Sequence, residues 1–203
     1  LVVNDGQLSS PASTTTVTVR SSAPPPTRTN VAAQATVTAS SESTWSQQTA
    51  AKAVDGVVAG YPGDYTREWA TNGQGVGAWI QLTWAAAQTL DRIVLYDRPN
   101  ANDQILAGTL LFSDGTTIAV GPLDNAGAAT AYDFAARAVT WVRLTVTQVS
   151  SRTGNVGLAE MEAWAEPGAA TNHAPIASAG ASQTVAEGAA VALDGSASYD
   201  PDG

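Results

Sequence analysis

An all-β sandwich of about eight strands is predicted for residues 30–166, on three observations. First, runs rich in Val, Ile, Leu, Thr and Trp recur between Gly, Asn and Asp turn clusters: "ATVTAS", "AWIQLTW", "DRIVLYD", "GTLLFSDG", "TTIAVG", "TWVRLTVTQV" and "GLAEMEAWA". β-Branched and aromatic residues suit a pleated, half-buried surface, and the turn residues close each run after a few positions. Second, several runs alternate with period two. Ile80, Leu82 and Trp84 share a face, as do Ile93 with Leu95, Leu110 with Phe112, and Val142, Leu144 and Val146. Third, no stretch of ten or more residues carries a helical period, so sheet packed on sheet is the way to bury an apolar fraction of 44%. Trp79, Trp84, Trp141 and Trp164 lie in the alternating runs and are expected in the core.

The elements follow in chain order. Residues 1–20, "LVVNDGQLSSPASTTTVTVR", read as strand, Asn4-Asp5-Gly6 turn, and a second strand from the Thr and Val alternation. Residues 21–29, "SSAPPPTRT", form a linker, because consecutive prolines cannot join a ladder and favour an extended chain. The sandwich occupies residues 30–166, and "PGAATNHAP", residues 167–175, is a second linker. Residues 176–203 carry two further strands, "QTVAEG" and "AAVALDGSAS", and close on Asp200-Pro201-Asp202-Gly203. Leu1-Val2-Val3-Asn4 has neither a basic nor a leader-like character, so the chain reads as an internal segment of a longer protein with half a domain at each end. Half domains expose unpaired strand edges, which sets up an expectation that neighbouring copies pair through them.

Composition removes several function classes. A formal net charge of -9 and a sequence pI of about 4.3 repel a phosphate backbone, so nucleic acid is not an expected partner. Few Lys among many Asp and Glu suit an extracellular surface, secreted or on a cell. The absence of cysteine rules out disulfides, thiolate zinc and a cysteine nucleophile. No apolar run reaches membrane-spanning length, so no membrane insertion is expected. The single histidine, His173, lies in the second linker, which leaves no Ser-His-Asp set and no histidine metal centre. "GQGVG" at residues 73–77 lacks the Lys and the strand-to-helix context of a phosphate loop. No enzyme is expected.

Three resemblances add to this reading. "NHAPIASAG", "QTVAEG" and "AAVALDGSASYDPDG" resemble the opening strands of a PKD domain, an immunoglobulin-like repeat common in bacterial secreted proteins. "LVVNDGQLSSPASTTTVTV" resembles the closing strands of the same kind of domain. "NVAAQATVTASSES", "AAKAVDGVVAGYPGDYTREWATNG", "AWIQLTWAAAQTLDRIVLYDRPN" and "WVRLTVTQVSSRTGNVGLAEMEAWA", in that order, are similar to the discoidin domain of coagulation-factor C-type modules and family 32 carbohydrate-binding modules. That resemblance implies a galactose-binding-like jelly roll of about eight strands. It also implies a structural Ca2+ where the Ala53-Val54-Asp55-Gly56 turn meets the closing strand, and glycan recognition by loops at one end.

By that resemblance Asp55 and Glu160 are the side-chain ligands of Ca2+, with carbonyls near Lys52 and in the 57–64 loop, and Asp64 as a further candidate. A hard cation needs six to eight oxygens, which such a turn can supply; equally, Asp55 can cap its turn and Glu160 can be an ordinary strand residue. Asp194, Asp200 and Asp202 carry the same two readings. For a glycan or polysaccharide, two loops hold aromatic and polar groups: Tyr61, Tyr65, Arg67 and Trp69 in one, Asp97, Arg98, Asn100 and Asp103 in the other, with Trp45 in the polar stretch "SESTWSQQ". A ring supplies contact area and a few polar groups fix orientation. Trp69 can instead be core, and Arg67 and Arg98 can pair with Glu68, Asp97 or Asp103 to shape the loops. The two functional expectations are a non-catalytic carbohydrate-binding or adhesion module, and a structural repeat of an extracellular stalk or filament.

Overall fold

The computed structural model describes Gln7, residues 27–166, and residues 174–181, 183–186, 188–192 and 194–199. The strands expected in residues 1–20, most of both linkers, His173, Asp200 and Asp202 lie outside the described residues. The chain divides into two compact units, one of residues Leu1–Pro26 with Ala169–Gly203, the other of Thr27–Gly168.

In the larger unit eight antiparallel strands appear: β1 (Thr29–Asn30), β2 (Thr36–Ala39), β3 (Trp69–Ala70), β4 (Trp79–Asp97), β5 (Ile105–Phe112), β6 (Thr117–Val120), β7 (Ala129–Val149) and β8 (Gly157–Ala165). The runs "AWIQLTW" and "DRIVLYD" are the two halves of one 19-residue strand, β4. β7 is longer than its apolar run suggested, with 21 residues, because "ATAYDFAARA" extends it on the N-terminal side. Alternating apolar residues are sparse there, so periodicity alone does not mark it.

The two long strands build the sandwich. The first half of β4 pairs with β2 and with the second half of β7, Trp79 opposite Thr145 and Thr83 opposite Trp141. β7 continues to β5, and β5 to β6. Between Thr83 and Gln88 the register shifts, and Ala85, Ala86 and Ala87 lie exposed at a corner. Beyond it, β4 pairs with β8 and with the first half of β7, while β1 and β3 add to β8. Bulges at such corners let one strand serve two layers. The result is the jelly-roll sandwich.

The core lies between the layers. Ile80, Leu82, Leu90, Ile93, Leu95, Ile105, Leu110, Phe112, Leu144 and Leu158 are fully buried, each worth roughly 1.5–3 kcal/mol of removed apolar surface. Trp84 joins them, its indole N–H donating to Val31 O at 2.8 Å. Trp79, Trp141 and Trp164 do not: they are half-buried. Each is out of phase with the core residues of its own strand, and so points away from the facing layer.

In the smaller unit, Ile176 and Tyr199 form an antiparallel bridge with N–H to O distances of 2.8 and 3.0 Å. Asp194 accepts from Ser196 N at 2.9 Å, and its hydrogen bonds to Ser196 hold its carboxyl below the ordinary range, as for a carboxylate that closes its own turn.

Candidate functional site

At one end of the larger unit three loops converge on a single carboxylate. Glu68 is fully buried, and its Oε1 accepts from Arg98 Nε (2.9 Å), Arg98 Nη2 (2.7 Å) and Gln48 Nε2 (2.7 Å). Oε2 accepts from Tyr61 N at 3.1 Å. One side chain thus ties the 43–48 turn, the 57–68 loop and the 97–104 loop together. Asp103 completes the cluster: Oδ2 accepts from Arg98 Nη1 (2.9 Å) and Asn100 Nδ2 (2.8 Å), and Oδ1 from Gly154 N at 2.7 Å. Arg98 Nη1 also donates to Asn155 O at 3.0 Å. Asn125, with its amide turned to donate, reaches Asn100 O (2.8 Å) and Asp103 O (3.1 Å).

The sequence places Gly157 where this arrangement needs it. A Cβ there would run into Trp69 O and come within 2.7 Å of Arg98 Cδ. Asp97 sits underneath, buried, with Oδ1 accepting from Arg98 N and Oδ2 from Ile105 N, both at 3.0 Å. Burial raises its carboxyl to about 7, against the pull of those two N–H groups and of Arg98.

The loop pair expected to face a ligand therefore closes on itself. Asp97, Arg98, Asn100 and Asp103 are buried and bonded to one another or to neighbouring backbone. Trp69 is core, its indole N–H donating to Ser41 O at 3.0 Å. The physical reason is charge pairing: a guanidinium offers five donors, and Glu68, Asp103 and Asn155 take its three nitrogens without leaving the loops. In the sequence Glu68 reads as one polar residue of the Tyr61–Trp69 loop and as a pairing partner of an Arg, not as the hub of three loops. Gln48 and Asn155 had no signal, since a polar residue in a polar loop looks the same whether buried or not.

The aromatic candidates lie elsewhere. Trp45 is 96% exposed, on a 3-10 turn, Thr44–Ser46, that ends in left-handed Gln47 with φ 60°. Ser43 N donates to Ala70 O (2.8 Å) and Ala70 N to Gln48 O (3.3 Å), which fastens the turn to β3. An open groove lined by Val37, Thr38, Ala39, Ser41, Glu42 and Thr44 reaches the residue that precedes Trp45. Tyr61 and Tyr65 are half-exposed in the 57–68 loop. Arg67 Nη1 stands 3.6 Å from Asp55 Oδ2, which also faces Lys52 Nζ at 4.0 Å.

The cation candidates separate. Glu160 is buried beneath the Asp55-Gly56 turn; Oε1 accepts from Gly56 N at 3.2 Å and Oε2 has no partner among the described residues. Burial lifts its carboxyl to about 7. A lone buried carboxylate oxygen calls for a proton or a cation, so Glu160 fits a hard-ion site. Asp55 caps its turn, accepting from Val57 N at 3.0 Å. Asp64 is committed to its own turn, with Oδ1 accepting from Thr66 N (3.1 Å) and Thr66 Oγ1 (2.6 Å). Among the described residues no three acidic or imidazole side chains gather as a metal site, so further ligands there would be backbone carbonyls.

Known proteins share this fold. A family 32 carbohydrate-binding module of NanJ from C. perfringens, solved with galactose, is 18% identical, with 68% of this chain and 99% of that one covered at a TM-score of 0.55. A selenomethionine-labelled mutant of chitosan-binding module 1, from a chitosanase/glucanase of Paenibacillus sp. IK-5, is 25% identical over 68% and 99% at 0.53. A fucolectin from striped bass (Morone saxatilis) serum is 16% identical over 70% and 49% at 0.58. No curated protein matches. Residues 30–164 match a family model described as "Domain of unknown function (DUF7402)", and the chain belongs to that family.

Proposed function

We propose that the larger unit is a non-catalytic glycan-binding module that works through the Trp45 surface, not through the buried Arg98 cluster. One observation carries the reading: of six tryptophans, Trp45 alone stands almost wholly in water, on a turn held by Glu68 through Gln48 and by β3. An exposed indole on an anchored turn, next in sequence to a groove with Ser41, Glu42 and Thr44, offers ring stacking and hydroxyl-directed hydrogen bonds together. Tyr65 and Tyr61 supply further rings on a loop anchored to the same carboxylate. The fold is that of modules solved with galactose and with other glycans, which supports the ligand class without naming the sugar.

Ca2+ belongs to this reading as a structural ion. Glu160 and Asp55, with carbonyls near Lys52 and in the 57–64 loop, would hold it, and the ion would stiffen the turn that precedes Tyr61. The setting that fits is a secreted or cell-surface multidomain protein with PKD-like flanks. The closed Arg98 cluster favours a second reading, a structural repeat of an extracellular stalk or filament, since its loops are satisfied without a ligand. A glycan array read with Ca2+ present tests the two. Binding that disappears in Trp45→Ala and weakens in Tyr65→Ala is expected, whereas a blank array sinks the glycan reading and leaves the repeat.

A further inference from the structure

The outward face of the β2–β4–β7–β5 layer leaves a charge unanswered. Alternation turns Trp79, Gln81 and Thr83 of β4 outward, opposite Thr145, Arg143 and Trp141 of β7. Thr36 and Thr38 of β2 extend the rows on one side, Thr109 and Leu111 of β5 on the other. Arg143 is the only charged residue among these named positions.

Its guanidinium is held in place. It lies over the Trp79 ring, 4.5 Å from the centroid, and Nε donates to Gln81 Oε1 at 2.9 Å. Gln81 is itself oriented, Nε2 donating to Thr83 Oγ1 at 2.9 Å. Stacking and hydrogen bonding together fix the plane of the fork. Among the described residues no carboxylate pairs with it, although Arg28, Arg67, Arg92 and Arg98 each have one. Nη1 and Nη2 donate to no protein group among them. Arg137, which also stacks on aromatic rings, directs its donors to Thr116 and Ala135. In a chain with 18 acidic and nine basic residues, Arg143 shares the lack of an ion-paired acid only with Arg137 and Arg152 among the described residues.

Trp141 stands two residues from Arg143 on the same face, about 7 Å along the strand. It is half-buried, and its indole N–H, unlike those of Trp69, Trp84 and Trp164, finds no acceptor among the described residues. Threonine hydroxyls surround the pair. A flat ring with an apolar face, hydroxyls at its rim and one carboxylate matches this pattern. A polyphosphate does not, because it requires several cations.

We propose that this sheet face binds an acidic sugar residue of a polysaccharide, with a uronate ring against Trp141 and its carboxylate on Nη1 and Nη2 of Arg143. The site borders the Trp45 groove at Thr38, but the two side chains that would hold the ligand, Trp141 and Arg143, are not among the residues lining that groove. Isothermal titration calorimetry of the full chain with tetragalacturonate, its methyl ester and a neutral galactose oligosaccharide tests it, using R143Q, W141A and W45A. Circular dichroism checks the fold of each variant, and R143K retains the charge without the fork. Tetragalacturonate is expected to bind wild type and W45A alike and to weaken about tenfold or more in R143Q and W141A. The methyl ester is expected to bind no better to wild type than tetragalacturonate does to R143Q, and R143K to fall between wild type and R143Q. Unchanged binding in R143Q, equal binding of the methyl ester, or no binding of tetragalacturonate by wild type overturns the proposal. Loss in W45A with R143Q unaffected also overturns it, while supporting the loop surface. Neutral glycan binding lost in W45A, with tetragalacturonate silent, overturns this proposal alone.

Discussion

Arg98 and Arg143 are the same side chain put to opposite uses. Arg98 is buried between Glu68 and Asp103 with all three nitrogens occupied, and its charge holds loops together. Arg143 rests on an indole at the surface of a sheet, with one nitrogen bonded and no acid paired with it among the described residues. The contrast separates cohesion from recognition: where acids converge on a guanidinium the protein has used the charge itself, and where they are missing the charge faces outward. A buried pair adds little net stability over apolar packing, yet removing one partner is costly because the other stays charged in a poor solvent.

The largest way to break the contrast is therefore Arg98→Ala, which strands Glu68 and Asp103. A loss of about 3–5 kcal/mol in urea unfolding is expected, against about 1 kcal/mol or less for Arg143→Gln, whose cation–π contact is at the surface. Equal losses would mean that Arg98 is not the clamp. Next comes Gly157→Ala, where the added methyl meets Trp69 O and Arg98; overpacking of about 1–3 kcal/mol is expected from the same titration.

A graded effect follows from Asp97 and Glu160, each raised by burial from an ordinary carboxylate value to about 7. In the window from about pH 4 to 7 the folded state holds protons that the unfolded state releases. Folding is thus stabilised as pH falls towards 5, and this contribution is lost as pH rises through 7. Thermal melts across that range check the sign. If Ca2+ occupies the Glu160 site, added Ca2+ raises the melting temperature at pH 7.5, the increment vanishes in Glu160→Gln, and the acid stabilisation shrinks to the share of Asp97. The smallest effect is on Trp45→Ala, expected to change stability by no more than about 0.5 kcal/mol while removing glycan binding.

Much of the sandwich was legible because alternation states burial directly. It was legible even where the expectation missed: Trp79, Trp141 and Trp164 each fall between core positions, so the pattern that buries Ile80, Val142 and Ala163 turns those rings outward. Residue size suggested core and phase decided otherwise. The first half of β7 was not legible, since "ATAYDFAARA" owes its strand to pairing with β4 and not to its own composition. The loop cluster was half legible. Arg67, Glu68, Asp97, Arg98 and Asp103 announce a charge network, but which acid takes which base depends on loops far apart in sequence, and Gly157 reveals its role only once Trp69 and Arg98 are beside it.

β1 and β8 meet as neighbours, Thr29 opposite Ala165, with Arg28 gripped by Asp91 at 2.6 Å and Glu166 N bonded to Thr89 O at 2.9 Å. The chain accordingly enters and leaves the sandwich at one place. A pull applied between residues 28 and 166 would therefore act across the β1–β8 pairing and peel β1 from β8 one residue pair at a time. The Arg28–Asp91 ion pair, just outside β1, would be the first contact to bear that load.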